Sequence, residues 1–365
     1  NLDTGAVRHT VTSGLEFSRE KAYSPGWTGL GTVEATDIYQ PVPTSPVVGY
    51  APVRSGASTK GKTDTAAFYA FDTLKLSPAW QISGGVRAER YEVDYHSVPA
   101  TGATTATVQL RVKDDLVTWK LGAVYKPVHA GSLYASVGTS LRPPGTNLSL
   151  STTTTNADNP GLDPQEATNF ELGAKWDFAG GKLSTTAALF RSENKNVPTT
   201  DSVTGNVIQA VDQTVQGIEL GVSGQVTENW ILFGGVAVMD SEYSAPTTSA
   251  GGTNSGAELQ WAPKVSGNVW STYRLPFGLT VGGGARYMST VARQTTTTPS
   301  ATAPEMPSYW VLDAVVGYDV NRHLTLRLNV NNLADEAYSR SLNSNGGRYV
   351  PGAARSYLLT ASVQF

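Results

Sequence analysis

Apolar and polar side chains alternate with a period of two along almost the whole chain, and that alternation limits what it can fold into. Across 170–178 the even positions are Phe170, Leu172, Ala174, Trp176 and Phe178; the odd ones are Glu171, Gly173, Lys175 and Asp177. Across 117–126, Val117, Trp119, Leu121, Ala123 and Tyr125 share one face, and Thr118, Lys120, Gly122, Val124 and Lys126 the other. Near the C-terminus Leu324, Leu326, Leu328 and Val330 alternate with Thr325, Arg327, Asn329 and Asn331. Successive side chains of a strand point to opposite faces, so each segment is a strand with one apolar and one polar side. The chain is therefore expected to be all-β.

Such strands suit a soluble sandwich, apolar face inward, or a membrane barrel, apolar face outward. The charges choose between them. Glu16, Arg87, Glu89, Lys120, Glu171, Lys175, Glu219, Arg274, Arg286, Asp313 and Arg327 all fall on the polar face, among Gly, Ser, Thr and Asn. The apolar face carries almost none, with Arg90 the clearest exception. Strands of about ten residues suit a tilted crossing. Aromatic residues end several apolar faces, as Trp119 and Tyr125, Trp176 and Phe178, and Tyr357 and Phe365 do; these are membrane-interface positions. The expectation is a transmembrane antiparallel β-barrel. Val117, Leu121, Ala123, Leu172, Ala174, Leu326, Leu328 and Leu359 should face lipid, and Lys120, Glu171, Lys175 and Arg327 the lumen.

Composition excludes much else. Net charge is −3, which gives no basic footprint for nucleic acid. The chain has no Cys and only 4 His, which removes thiol chemistry and makes a His-rich metal site a poor reading. Asp94 and His96 share a face, but no acid–base set assembles by spacing, so the chain is not read as an enzyme.

The periodic segments predict strands near 7–19, 63–77, 79–95, 115–126, 131–141, 165–178, 182–193, 213–226, 229–243, 260–275, 278–290, 308–320, 322–337 and 347–365. Tight connections alternate with long ones at 20–62, 96–114, 142–164, 194–212, 244–259, 291–307 and 338–346. Short turns on one rim and long loops on the other are the outer-membrane pattern. The segment 203–210 could form a hairpin inside its loop, and 20–62 is expected to pack over the lumen entrance. No repeat or linker divides the chain, so 1–365 reads as one unit.

Several segments carry a family resemblance. Val330-Asn331-Asn332-Leu333-Ala334-Asp335-Glu336-Ala337-Tyr338, then Pro351-Gly352-Ala353-Ala354-Arg355, resemble the closing segments of TonB-dependent outer-membrane receptors. So does Asn159-Pro160-Gly161-Leu162-Asp163-Pro164-Gln165 with Glu171, although Gln165 stands where that family usually has Glu. The likeness is greatest to the ferric, catecholate-type siderophore branch. It implies an outer-membrane importer driven by TonB through an N-terminal plug, which this chain lacks. The family's barrel has about 22 strands, for which roughly 570 residues would be needed at this chain's spacing; about 14 are present. The chain is therefore expected to be the C-terminal part of such a barrel, with long loops extracellular and short turns periplasmic. Its first and last strands should each keep a free edge. Outer-membrane lipid and lipopolysaccharide are the surrounding partners.

A ferric catecholate is anionic and aromatic-faced, so Arg answers its charge and Tyr and Trp its rings. Candidates on the long-loop rim are Trp27, Tyr39, Tyr50, Arg54, Arg142, Tyr243, Arg293, Arg340, Arg348 and Tyr349. For each, the alternative is an ordinary solvated loop residue or a lipopolysaccharide contact. The chelator already saturates the iron, so no protein metal ligand and no cofactor is expected. The competing function is a passive, porin-like diffusion channel.

Overall fold

A computed structural model describes residues 2–5, 7–33, 46–154, 156–201, 203–247, 249, 252–292, 305–342 and 349–364. It is almost entirely strand. The order is β1 (Leu2–Thr4), β2 (Val7–Val33), β3 (Val47–Lys75), β4 (Trp80–Val98), β5 (Val108–Val128), β6 (Gly131–Arg142), β7 (Gln165–Phe178), β8 (Leu183–Thr200), β9 (Val207–Thr227) and β10 (Trp230–Ser244). There follow β11 (Val265–Arg274), β12 (Leu279–Met288), β13 (Val291–Ala292), β14 (Glu305–Met306), β15 (Tyr309–Asn321), β16 (Leu324–Asn331), β17 (Ser339–Leu342), β18 (Tyr349–Pro351) and β19 (Ser356–Val363).

One antiparallel sheet joins β1–β12 in sequence order, then β15, β16 and β19. β1 is a three-residue stub on β2, so the wall has the expected fourteen full strands. The pairs β13–β14 and β17–β18 are separate hairpins within long connections. Among the described residues no ladder joins β2 to β19; the stub and the last strand are the two edges of the sheet.

The register settles the two faces. Directly paired residues point the same way, and one face of the sheet reads Glu16–Ala67–Glu89 across β2–β4, Lys120–Gly138–Asn169 across β5–β7, and Gly317–Arg327–Thr360 across β15, β16 and β19. The expected lumenal charges all share it. Arg87 meets Glu16 at 2.9 Å and Glu89 at 2.5 Å, Arg286 meets Asp313 at 3.4 Å and Arg274 meets Asp319 at 3.2 Å. Lys175 lies over the Tyr134 ring, whose hydroxyl donates to Glu171.

The other face is apolar and bare. Val117, Leu121, Leu172, Leu326, Leu328 and Leu359 are exposed there, as lipid-facing residues of a barrel wall must be. Rings cap it at the short-turn end: Trp80 stacks on Tyr125 at 4.6 Å, and Trp230 lies opposite Tyr273 with its Nε1 donating to Ser271 Oγ at 2.8 Å. At the other end Tyr287 meets Trp310 at 4.6 Å. A ring with an apolar body and a polar tip suits the interface.

Three expected loops are largely strand. β2 and β3 run on past the apolar band, so 20–33 and 47–62 pair as a long hairpin, and 34–45 of the expected lumen cover lie outside the described residues. The connections expected at 96–114 and 194–212 shrink to 99–107 and 201–206. The segment 203–210 makes no separate hairpin, because β9 begins at Val207. Beyond the membrane a strand needs no apolar face, so alternation fails while backbone pairing continues. Bulges at Pro25/Trp27 and Thr28/Leu30 absorb the proline and glycines there.

Candidate functional site

The segment folded onto the polar face is 143–164, between β6 and β7. Its Leu150 is buried with Tyr91, Val93, Val112 and Leu116, and Tyr95, Leu110 and Leu141 pack against that cluster. The β4 and β5 residues of this cluster belong to the lumenal row set, and Leu141 packs against them from the end of β6. A Cβ at Gly61 would collide with the backbone of Leu148, so glycine lets this segment lie directly on β3.

Two side chains shape the segment. Asp158 accepts from the Gly145 amide at 3.1 Å, with Arg142 and Asn147 each at 3.5 Å. Asn159 accepts from the Gly161 amide at 2.8 Å and donates to the Thr153 carbonyl at 3.2 Å. Gln209 of β9 then clamps its end: Oε1 accepts from the Asp163 amide at 2.9 Å, and Nε2 donates to the Asp163 and Asn196 carbonyls at 2.9 Å each. The Asn-Pro-Gly-Leu-Asp-Pro run is thus a folding instruction. Asp158 and Gln209 went unread in the sequence, because their partners are remote or depend on loop geometry; only the density of Asn and Asp at 156–163 hints at it.

The expected ligand residues divide. Trp27 and Arg54 are brought together across the β2–β3 hairpin, the guanidinium 4.0 Å from the ring centroid. Tyr50 is exposed on the same hairpin. Arg142 is turned to Asp158 and so helps hold the lumenal segment. Tyr243, near the far end of β10, pairs through its backbone with Ala257, and burial pushes its hydroxyl up. Arg340 and Tyr349 share the β17–β18 hairpin, against which β14 lies. Tyr39, Arg293 and Arg348 lie outside the described residues. Among the described residues no hydrogen bond, ion pair or ring contact joins the hairpin pair to Tyr243 or to Arg340 and Tyr349. Asp94 takes Arg111 Nε at 3.3 Å on the outward face. Among the described residues no group of acidic or histidine side chains could hold a metal ion.

A fourteen-strand wall with a bare apolar exterior, a charged interior and a segment folded into that interior defines a large transmembrane β-barrel of the receptor class. The chain belongs to the TonB-dependent receptor family: the family model "TonB dependent receptor-like, beta-barrel" matches residues 1–333. The catecholate siderophore receptor Fiu of Escherichia coli (strain UTI89 / UPEC) is 34% identical over 385 residues, covering 99% of this chain and 49% of that protein. The probable TonB-dependent siderophore receptor PiuA of Acinetobacter baumannii is 31% identical over 92% of this chain and 48% of its own length. The crystal structure of the ferric-catecholate import receptor Fiu from E. coli K12, in its closed form, matches with a TM-score of 0.90 over 100% of this chain and 53% of that one. The chain thus spans about half the length of the curated relatives it matches.

Proposed function

We propose that this chain is part of the wall of an outer-membrane importer that binds a ferric siderophore, of catecholate type, and moves it with energy from TonB. The observation that carries the reading is the match to the ferric-catecholate receptor along the whole chain, at 33% identity and a TM-score of 0.90. The remaining wall strands and the plug that engages TonB belong to the rest of the protein. Long connections face outward from the cell and short turns face the periplasm. The ligand meets the rim through the Trp27–Arg54 pair, Tyr50, Tyr243, Arg340 and Tyr349, together with Tyr39, Arg293 and Arg348. Arg142 acts there through the segment it holds. Iron is cargo held by its chelator, and the protein performs no catalysis.

The family match supports an importer over an open pore. The test is uptake of radiolabelled ferric catecholates by cells carrying the full-length receptor, with and without functional TonB. Import is expected only with TonB. Equal uptake in both strains would return the barrel to the passive class.

A further inference from the structure

Val112, Asp114 and Leu116 alternate along the inner face of β5, opposite Val93, Tyr91 and Glu89 of β4. Val112 and Leu116 are buried with Tyr91, Val93 and Leu150, so the segment 143–164 lies over an apolar patch with a carboxylate in its middle. Asp114 Oδ2 is buried and has no hydrogen-bond partner among the described residues. A carboxylate so placed loses hydration and receives no bond in exchange. An uncharged side chain would suit the packing better, and a residue that breaks its local pattern marks a place where more than stability is served.

The charges that act on Asp114 and on Tyr91 opposite it are of one sign. They are Asp163 and Asp158 from the covering segment, Asp115 on β5, Glu89 on β4 and Glu20 on β2. β3 brings only Thr63, Thr65 and Ala67 to this part of the inner face. The nearby cations are engaged elsewhere: Arg142 with Asp158, Arg87 with Glu16 and Glu89, and Lys113, on the outward face, with Glu92. Asp114 lies beyond the apolar band, beside the outward Arg90–Asp115 ion pair. Burial first, then the Asp163 and Asp115 carboxylates, holds its carboxyl above the usual aspartate range. Gln209 pins the Asp163 amide and carbonyl, each at 2.9 Å, so Asp163 stays in place whether or not Leu150 is seated. What the seating of Leu150 changes is the access of water to Asp114.

We infer that the seating of 143–164 on the inner wall is proton-linked: the segment closes over Asp114 in its neutral form and lifts when Asp114 ionises, uncovering Tyr91, Val93, Val112 and Leu116. In the lifted state Asp114 meets water and titrates as an ordinary aspartate. Under the segment it keeps its proton to higher pH. Between those two ranges the seated state binds more protons, so seating is strongest at and below the ordinary aspartate range and weakens as pH rises through the raised one. Above that, the apolar contacts of Leu150 and the bonds of Asp158 and Gln209 hold the segment against a buried charge. This device goes beyond the import reading and does not depend on which ligand is carried.

Electron paramagnetic resonance tests it, with a nitroxide on Thr154→Cys, an exposed position of the segment, in the full-length receptor with any other cysteine replaced. Between about pH 4 and about pH 8 the mobile fraction of the spectrum is expected to rise at least about threefold. Asp114→Asn keeps the shape and removes the charge, and should hold the mobile fraction at its low-pH level throughout. Asp163→Asn removes a repelling neighbour and should move the rise to lower pH. Leu150→Ser supplies the lifted spectrum, and heat-modifiable gel migration confirms folded barrels. A mobile fraction independent of pH in the labelled receptor, or the same rise in Asp114→Asn, would overturn the proposal. Should Asp114→Asn not fold, Asp163→Asn decides: a rise at unchanged pH overturns it. The label is read without siderophore, so failure of the import reading, measured by uptake, is distinguishable.

Discussion

Asn332 sits at φ 51° and is 2% exposed, which is tolerable only because every part of it is used. Its amide donates to Asp313 at 2.8 Å, its Nδ2 to the Glu336 and Ala353 carbonyls at 2.9 Å each, and its Oδ1 accepts from the Glu336 amide at 2.8 Å. Three residues on, Asp335 accepts from the Arg355 amide at 2.9 Å and faces its guanidinium at 3.3 Å. Gly352 lies so close to the Tyr338 ring that a Cβ would collide with it. The two closing motifs of the sequence are therefore one knot tying the start of the last long connection to its end. Asn332→Ala leaves buried carbonyls and an amide unpaired and places alanine in a left-handed conformation. A loss of about 2–3 kcal/mol is expected, read from urea unfolding of the receptor refolded in vesicles. Asn332→Asp should cost less than Asn332→Ala if the Oδ1 bond to Glu336 carries the turn.

At the scale of the strand, the two faces predict opposite outcomes for the same chemistry. Leu172 points from the middle of β7 into lipid, whereas Ser136 lies on the lumenal face directly opposite Glu171. Leu172→Arg should destabilise by about 2–4 kcal/mol, and Ser136→Arg should change stability by less than about 1 kcal/mol. Comparable losses in a vesicle-based unfolding assay would mean that the faces are assigned wrongly. The segment 143–164 is an element of its own, held by Leu150 and by Asp158. Leu150→Ser should detach it without unfolding the wall. Limited proteolysis would then show new cleavage between 143 and 164 while the barrel keeps its heat-modifiable migration.

For the whole molecule, no ladder among the described residues joins β1 or β2 to β19, and a free strand edge in hydrocarbon leaves backbone groups unpaired at several kcal/mol each. On the proposed function, further strands complete the wall in the membrane. Expressed by itself, residues 1–365 should aggregate or fail to give heat-modifiable migration, whereas the full-length receptor should show it. On the proposed function, recognition is also a property of the assembled rim. Trp27→Ala with Arg54→Ala removes the stacked pair from the hairpin, and a loss of about tenfold in ferric-catecholate affinity is expected, or about 1.4 kcal/mol. Fluorescence-quenching titration measures it; an unchanged affinity would take the hairpin out of the site.

What the sequence determined by itself is the wall. In lipid, alternation and charge segregation are obligatory, because a charged group on the outward face is penalised directly and locally; strand number, register parity and both faces could be read from residues such as Leu172 and Lys175. The closing motifs were legible as architecture through the family resemblance alone, since most of their hydrogen bonds join distant residues, as from Asn332 to Ala353 and from Asp335 to Arg355. Only the tertiary structure decided what lies beyond the apolar band. There water satisfies the backbone equally well in loop or strand, so nothing local distinguished the long β2–β3 hairpin from a loop. The identity of the segment that enters the lumen was decided by contacts from Leu150 to Tyr91, Val93, Val112 and Leu116, on strands far away in the chain, and no periodicity records such a meeting.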